Sequence, residues 1–484
     1  MRYSLPLITP ALALTSILPT ATSLVIGPFE QRPYEQQHWF ETRQQKSQRP
    51  DTSRLAASLV IDTFQTPLHN DLGFWHGTGE NLTFQHEPGS MRLFPTDPDQ
   101  NFHTQFNSHT CFSLSPWRDQ YLHVVFEGNE DFTVSLNEHN AECNPARAPF
   151  PGVPDSVQAS RYVMRTRSWD PDDGSNDWDD DWKLGKQRRP LKHRLKNDTR
   201  NGGRQRPAWS KRSELFIPLS HFRVNHERLV SVSFTGFYTD EPLTLYRVEI
   251  VPDVPGPSSW NNYFHVPKKL PTGQLILRCS RPNSFAFGID DGQPEYAQEV
   301  MRILDEENVR VTFFAVATGL RDRTTNFTRF YREMLRKGHQ VALHSNTHPK
   351  MEALPTLREI DEEIIQSIRT LQDQLDIHSR YFRPPFGTVG VRLRQQLAQY
   401  IDDPYVVNWS VDVEDWLWEN STTPERQLDA FYRDVARGGN LAVMHYLNPI
   451  TVGYLRHFIR HVKSLGLNIM RVDQCLEDPN SPAL

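Results

Sequence analysis

The feature that most constrains this chain is an alternation that fills its second half. Seven short apolar runs, FAFGID, VTFFAVA, QVALHS, YFRPPF, YVVNWSV, LAVMH and NIMRV, are separated by helical patterns such as LREIDEEIIQSIRTLQDQL and TPERQLDAFYRDVARG. Strand and helix in alternation predict a parallel sheet. No glycine-rich nucleotide fingerprint follows the first run, so the expected form is a (β/α) barrel of about seven strands, which the family resemblance given below implies to be distorted, rather than an open sheet. In such barrels the chemistry sits at the C-terminal ends of the strands.

The first half follows a different grammar. From about Leu55 to Val254, short β-rich runs (SLVIDTF, YLHVVFEG, FTVSLNE, SELFIPL, LVSVSFTGF, LTLYRVEIV) are divided by turn residues, which predicts an antiparallel β-sandwich. Between Arg165 and Arg212 a charged segment interrupts them, acidic first (DPDDGSNDWDDD) and then basic (KQRRPLKHRLK). It holds too few apolar residues to order itself, so a flexible insertion is expected, with calcium binding by the acidic half as the alternative. VPDVPGPSS reads as a linker. The expected organisation is multidomain: a leader at 1–23, a flexible segment at 24–54, a β-sandwich at 55–254 with a disordered insertion at 165–212, a linker at 255–277 and the barrel at 278–484.

Charge and compartment narrow the function classes. A net charge of −6 supplies no basic excess for nucleic acid, and 37% hydrophobic with 23% charged residues suits a soluble globular protein, expected to be a monomer. The opening MRYSLPLITPALALTSILPTATS has a basic start, an apolar run with Pro6 and Pro10, and small residues at Ala21 and Ser23, the pattern of a secretory signal. An uncleaved anchor over Tyr3 to Ile26 is the alternative, although prolines and threonines break that stretch. The C-terminal DQCLEDPNSPAL offers no hydrophobic tail for a lipid anchor, so a secreted protein, extracellular or in the cell wall, is expected. An oxidising compartment permits disulfides among the four cysteines; of three connectivities, Cys111 with Cys143 and Cys279 with Cys475 is favoured. Sequons at Asn81, Asn197, Asn326, Asn408 and Asn420 suit a glycoprotein, with Asn408 expected to be buried in YVVNWSV and unmodified.

Polar residues then gather on one rim of the expected barrel. Asp290 and Asp291 end the first strand, His344 the third and His445 the sixth; Arg383 lies on the fourth, and Asp412 and Asp415 follow the fifth. His344 and His348, spaced HSNTH, have a decoy in His457 and His461, which fall inside the helical run VGYLRHFIRHVKSLG. Two imidazoles and a carboxylate suit a divalent ion, so Asp291, His344 and His348 form the expected set, zinc by default and cobalt or nickel as alternatives. Such an ion lowers the pKa of a bound water toward ~7. Asp290 is the expected general base, kept ionised by Arg383. His445 is the expected general acid, oriented and kept protonated by Asp415.

These residues resemble the polysaccharide deacetylases with a NodB homology domain, carbohydrate esterase family 4. FGIDDGQ is similar to that family's Thr-Phe-Asp-Asp-Gly-Pro motif, HSNTH to its His-Ser/Thr-x-x-His, RPPFG to its Arg-x-Pro-Phe/Tyr, DVEDW to its Asp-x-x-Asp-Trp and LAVMH to its Leu-x-Leu-x-His. The resemblance covers roughly Arg278 to the C-terminus. It implies a metal-dependent N-deacetylase in which the Phe386 backbone N–H helps hold an oxyanion and Trp416 lines the acetyl groove. Departures are Gly288 and Ile289 for Thr-Phe, Gln293 for Pro, and Met444 in the last motif. The first half is similar to the galactose-binding-like β-sandwich that precedes the domain in some fungal secreted enzymes, on NDLGFWHG and SFTGFYTDEPLTLYRVEIVP. The expected partner is an acetylated polysaccharide, chitin first. An O-acetyl esterase acting on xylan or a similar glycan and a non-catalytic wall lectin are the rivals.

Overall fold

The structure, a computed structural model, describes residues 57–107, 110–149, 152–164, 212–254 and 266–484. The expected leader and flexible segment, residues 165–211 of the expected insertion, residues 255–265 of the expected linker and the sequon at Asn197 lie outside the described residues. No helix among the described residues is long and apolar enough to cross a membrane.

The first half is built of two antiparallel sheets. In one, the strands run in the order Thr83–Glu87, Ser90–Phe94, Leu243–Val251, Tyr121–Gly128, Ser213–Pro218, with Leu59–Asp62 also paired to Leu243–Val251. In the other the order is His76–Gly79, Asn101–Gln105, Leu229–Thr235, Thr133–Glu138, Gly152–Gln158. Strand residues point alternately to opposite faces, so Leu122, Val124 and Phe126 of one sheet and Val134, Leu136, Val232 and Phe234 of the other enter one shared apolar core. The ends of the long charged segment meet: Val163 bridges Leu215, and the Met164 N–H donates to the Glu214 carbonyl at 2.8 Å. The chain therefore leaves this layer and returns to it at one place.

The second half forms a curled, wholly parallel sheet with helices around it. The strands are ordered Gln274–Ile276, Tyr405–Val407, Tyr381–Phe382, Gln340–Leu343, Thr312–Ala315, Ser284–Gly292, Leu441–Tyr446, Val411–Asp412, with Asn468–Ile469 paired beside Ser284 and Phe285. Two details depart from the sequence reading. Residues 274–276, placed in the linker, form an edge strand on Tyr405–Val407; three residues are too short a run for periodicity to register. YVVNWSV, read as one strand, is two, and they lie toward opposite ends of the hydrogen-bonded path. Residues 408–410 span that gap, with the Asn408 N–H donating to Ile276 O and the Ser410 N–H to Leu441 O, so covalent chain joins what strand pairing leaves apart.

Helix Leu357–Leu375 shows why the surrounding elements start where they do. Thr356 and Glu359 form a reciprocal capping box, and Ile360, Ile364, Leu371 and Leu375 recur at helical spacing on the buried face. The same start puts Glu363 on the solvent side of the second turn, facing the HSNTH segment. His457 and His461 lie within helix Pro449–Ser464, His457 exposed and the His461 ring tilted against Tyr432 at 4.5 Å.

Both favoured disulfides are present, Cys111 with Cys143 and Cys279 with Cys475. The second closes 196 residues and is buried beneath the sheet among Ile276, Ala286, Leu441 and Val472. Replacing Cys279 and Cys475 together by alanine should destabilise the protein by about 5 kcal/mol, the loop-closure entropy of so long a loop, read as a lowered Tm in thermal unfolding.

Candidate active site

The five expected segments arrive on one rim, and each is aimed by a different device. Asp290 and Asp291 end the central strand Ser284–Gly292; His344 follows Gln340–Leu343; His445 lies in Leu441–Tyr446. Parallel strands present their C-terminal ends to one side, so residues 53 to 155 positions apart become neighbours. Asp291 Oδ1 is 3.6 Å from His344 Nε2 and 3.8 Å from His348 Nε2, and the two imidazole centroids are 5.0 Å apart.

The donor set fits a cation on observations of its own. The Asp291 Oδ1 atom is buried and has no hydrogen-bond partner among the described residues, a costly state for a carboxylate oxygen unless an ion faces it. His344 Nδ1 lies 2.7 Å from the Arg383 carbonyl, which can only accept, so Nδ1 carries the proton and Nε2 is left as a lone pair facing Asp291. For His348, burial first and then the His344 charge lower the pKa, favouring the neutral form that ligation requires. At Asp291 burial works against the charge, but His344, His445 and His348 outweigh it and hold the carboxyl well below the usual range.

Arg383 is fully buried, and its surroundings consist of acceptors. It donates to Asp290 Oδ1 at 2.7 Å, Val407 O at 3.0 Å, Gly288 O at 3.2 Å and Asn408 O at 3.3 Å, and stacks on the Phe314 ring. Burial lowers its pKa and Asp290 opposes that. The departure at Gly288 has its reason here: a Cβ at that position would sit 2.4 Å from the guanidinium nitrogens. Tyr446 fills a similar role behind the ligands, since a Cβ on Gly292 would meet its ring at 2.3 Å.

On the opposite side, His445 Nδ1 is 2.9 Å from Asp415 Oδ1, and the His445 backbone N–H donates to Asp415 Oδ2 at 2.6 Å. Burial disfavours the imidazolium, yet Asp415, and behind it Asp290 and Asp291, push its pKa up to about 10. A bound dication would pull that value back down. Asp412, on the rim as expected, is raised to about 6 by burial and then by Asp415, and accepts from the Glu414 N–H at 2.7 Å. Trp416 stands 67% exposed beside Asp415, and Phe386 is 62% exposed with its ring against His348 at 4.9 Å.

Some residues that shape the site escaped the sequence reading. Glu363 accepts from the backbone N–H groups of Asn346 and Thr347 at 2.9 and 2.8 Å and from the Thr347 hydroxyl at 2.7 Å, so one carboxylate organises the HSNTH turn. The turn needs it: Ser345 and His348 both hold positive φ, 62° and 64°. Glu363 lies on a helix face whose charges look like ordinary solvation, and only the fold brings it to the loop. The Tyr331 and Tyr446 hydroxyls, 3.3 Å apart in the core, lie behind the ligands.

The buried Asp290–Arg383 pair, the Asp415–His445 pair and the candidate cation cradle thus lie together on one α/β rim. Residues 278–401 match the family model described as polysaccharide deacetylase. The chain is 28% identical over 216 residues to a chitin deacetylase of Pestalotiopsis sp., covering 44% of this chain and 70% of that one. It is likewise 28% identical over 200 residues to a peptidoglycan-N-acetylglucosamine deacetylase of Listeria monocytogenes, covering 41% of this chain and 40% of that protein. A solved chitin deacetylase of Colletotrichum lindemuthianum aligns at 21% identity and a TM-score of 0.39, over 43% of this chain and 94% of that one. Over residues 278–401 the second half is thus similar to the polysaccharide deacetylases, the family of hydrolases acting on amide bonds whose motifs the sequence resembles.

Two outcomes follow. Gly288→Ala should drive the Arg383 guanidinium out of place and lower kcat by about 100-fold while the protein still folds, checked by steady-state kinetics and circular dichroism. Asp415→Asn removes the charge that keeps His445 protonated, and burial alone lowers an imidazole pKa. The basic limb of the kcat–pH profile should move to lower pH by at least about one unit.

Proposed function

We propose that this chain hydrolyses the N-acetyl groups of an N-acetylhexosamine polysaccharide, chitin before others, releasing acetate and leaving a free amine on the sugar. The single observation that carries the reading is the Asp291, His344, His348 cradle with its orphaned carboxylate oxygen, flanked by Asp290 and by His445. A divalent ion held there, zinc by default, would polarise the attacking water and the acetyl carbonyl. Asp290, held by Arg383 at 2.7 Å, takes a proton from that water as its oxygen bonds to the acetyl carbon. The Phe386 N–H supports the oxyanion. Asp415 holds His445 so that it gives its proton to the leaving nitrogen as the carbon–nitrogen bond breaks. Exposed Trp416 and Phe386 offer apolar faces for the acetyl methyl and sugar ring.

The surrounding architecture supports the same reading. We take the two antiparallel sheets around one core as a β-sandwich and the curled parallel sheet as a distorted (β/α) barrel, with the domain limits given by the sequence except that the barrel begins at Gln274. The two disulfides favour secretion to the cell exterior or wall. Sequons Asn81, Asn326 and Asn420 are exposed; Asn408 is half-buried and donates to the Gly387 carbonyl at 2.8 Å, which favours its remaining unmodified.

Incubation with chitin oligomers and with acetylxylan, followed by mass spectrometry with and without a chelator, tests the proposal. Expected is loss of acetyl mass from the chitin oligomers, abolished by chelation, and lowered by about 10²- to 10⁴-fold in Asp290→Asn. Release from acetylxylan alone would establish the esterase instead, and binding without release the lectin.

A further inference from the structure

Residues 97–99 of the β-sheet half reach the active-site rim, and their contacts there fall on two strained loops. Lys350, two residues beyond the ligand His348, lies 3.0 Å from both carboxylate oxygens of Asp97 and 2.8 Å from Asp99 Oδ2. A further contact of this loop is to the turn that carries Phe386: the Thr388 hydroxyl donates to Asp99 Oδ2 at 3.0 Å. His348 holds φ of 64° and Phe386 holds φ of 61°. Side chains other than glycine keep such backbone only where their surroundings over-determine it. Inside the deacetylase domain the His348 backbone is held by its N–H on Ser345 Oγ at 3.0 Å, and Glu363 secures the residues before it. Nothing comparable follows His348 until Lys350.

The loop that does the holding is itself rigid. Gln100 Oε1 accepts from the Thr96 N–H at 2.7 Å, the Asp99 N–H donates to Asp97 Oδ1 at 2.9 Å, and the Gly236 N–H donates to Pro98 O at 3.1 Å, tying residues 96–100 to the adjacent sheet. Two carboxylates are thus presented in fixed positions to one cation. A partly exposed pair of this kind adds little to global stability. Its consequence is local.

We infer that the Asp97–Asp99 loop of the antiparallel half is a positioning device for the site: through Lys350 it fixes His348 for ion binding, and through Thr388 it fixes the Phe386 turn. The inference rests on the metal-dependent reading above. It assigns to the first half a role in the reaction that needs no sugar-binding site of its own, and makes Lys350, Asp97, Asp99 and Thr388 positioning residues that touch neither ion nor substrate.

Coulomb attraction and positioning make opposite predictions for Lys350→Met. Removing a positive charge near the cradle would tighten cation binding; loosening His348 weakens it. Zinc affinity of the full chain, measured by chelator competition, should fall about tenfold in Lys350→Met, remain near wild type in Lys350→Arg, and leave Tm within about 3 °C. Thr388→Val should lower kcat about fivefold, the worth of one hydrogen bond, with zinc affinity unchanged. Lys269→Met, which breaks the contact between the halves at buried Asp155, serves as control: Tm falls and zinc affinity holds. Unchanged or tighter zinc binding in Lys350→Met overturns the inference, as does a loss that only follows a lowered Tm. His348→Ala separates the two levels: if wild type binds zinc no better than this variant, the metal reading fails and the positioning device falls with it.

Discussion

One buried cation holds the site together. Taking the Arg383 guanidinium out of water costs several kcal/mol, and that cost is met only because the fold surrounds it with acceptors. Its side chain joins the Asp290 carboxylate to carbonyls of Val407, Asn408 and Gly288, while its own carbonyl receives the His344 Nδ1–H. The proposed base Asp290, the tautomer of the candidate ligand His344 and three strands around the sheet are thereby fixed by a single residue. Gly288 and the Phe314 ring define the slot from either side. The chemistry on the rim has its orientation because the charge beneath it has nowhere else to go.

Around that fixed centre the loops are strained. Ser345, His348, Phe386 and Glu414 all hold positive φ without being glycine, and each lies within or next to a residue that the proposed reaction uses. Such conformations need external support, and it comes from three sources: Glu363 on the neighbouring helix, the Asn408 amide on the Gly387 carbonyl, and the carboxylates of the antiparallel half.

Much of this was legible in the linear order. Asp291 and His344 declare themselves because a carboxylate and an imidazole each end an apolar run, and strand ends on a parallel sheet share a rim. His457 was separable from His348 by the helical pattern around it, and it is exposed on its helix. The cysteine pairs followed from the halves they occupy. Illegible were features with no local period: the three-residue edge strand at 274–276, the division of YVVNWSV, and the braces Glu363, Asp97 and Asp99, whose charges resemble those of any solvated surface.

The sequence by itself determined which side chains stand at the ends of which strands, and with them the kind of chemistry: a carboxylate and two imidazoles for an ion, a second carboxylate beside an arginine, an acid beside its own carboxylate. These depend on residue type and strand period, which are local properties. Only the tertiary structure decided how tightly that set is held. Which carbonyls take up the Arg383 charge, which carboxylate secures the HSNTH turn, and that a loop more than 250 residues upstream reaches Lys350, are matters of contact between segments whose separation in the chain carries no information about their distance in space.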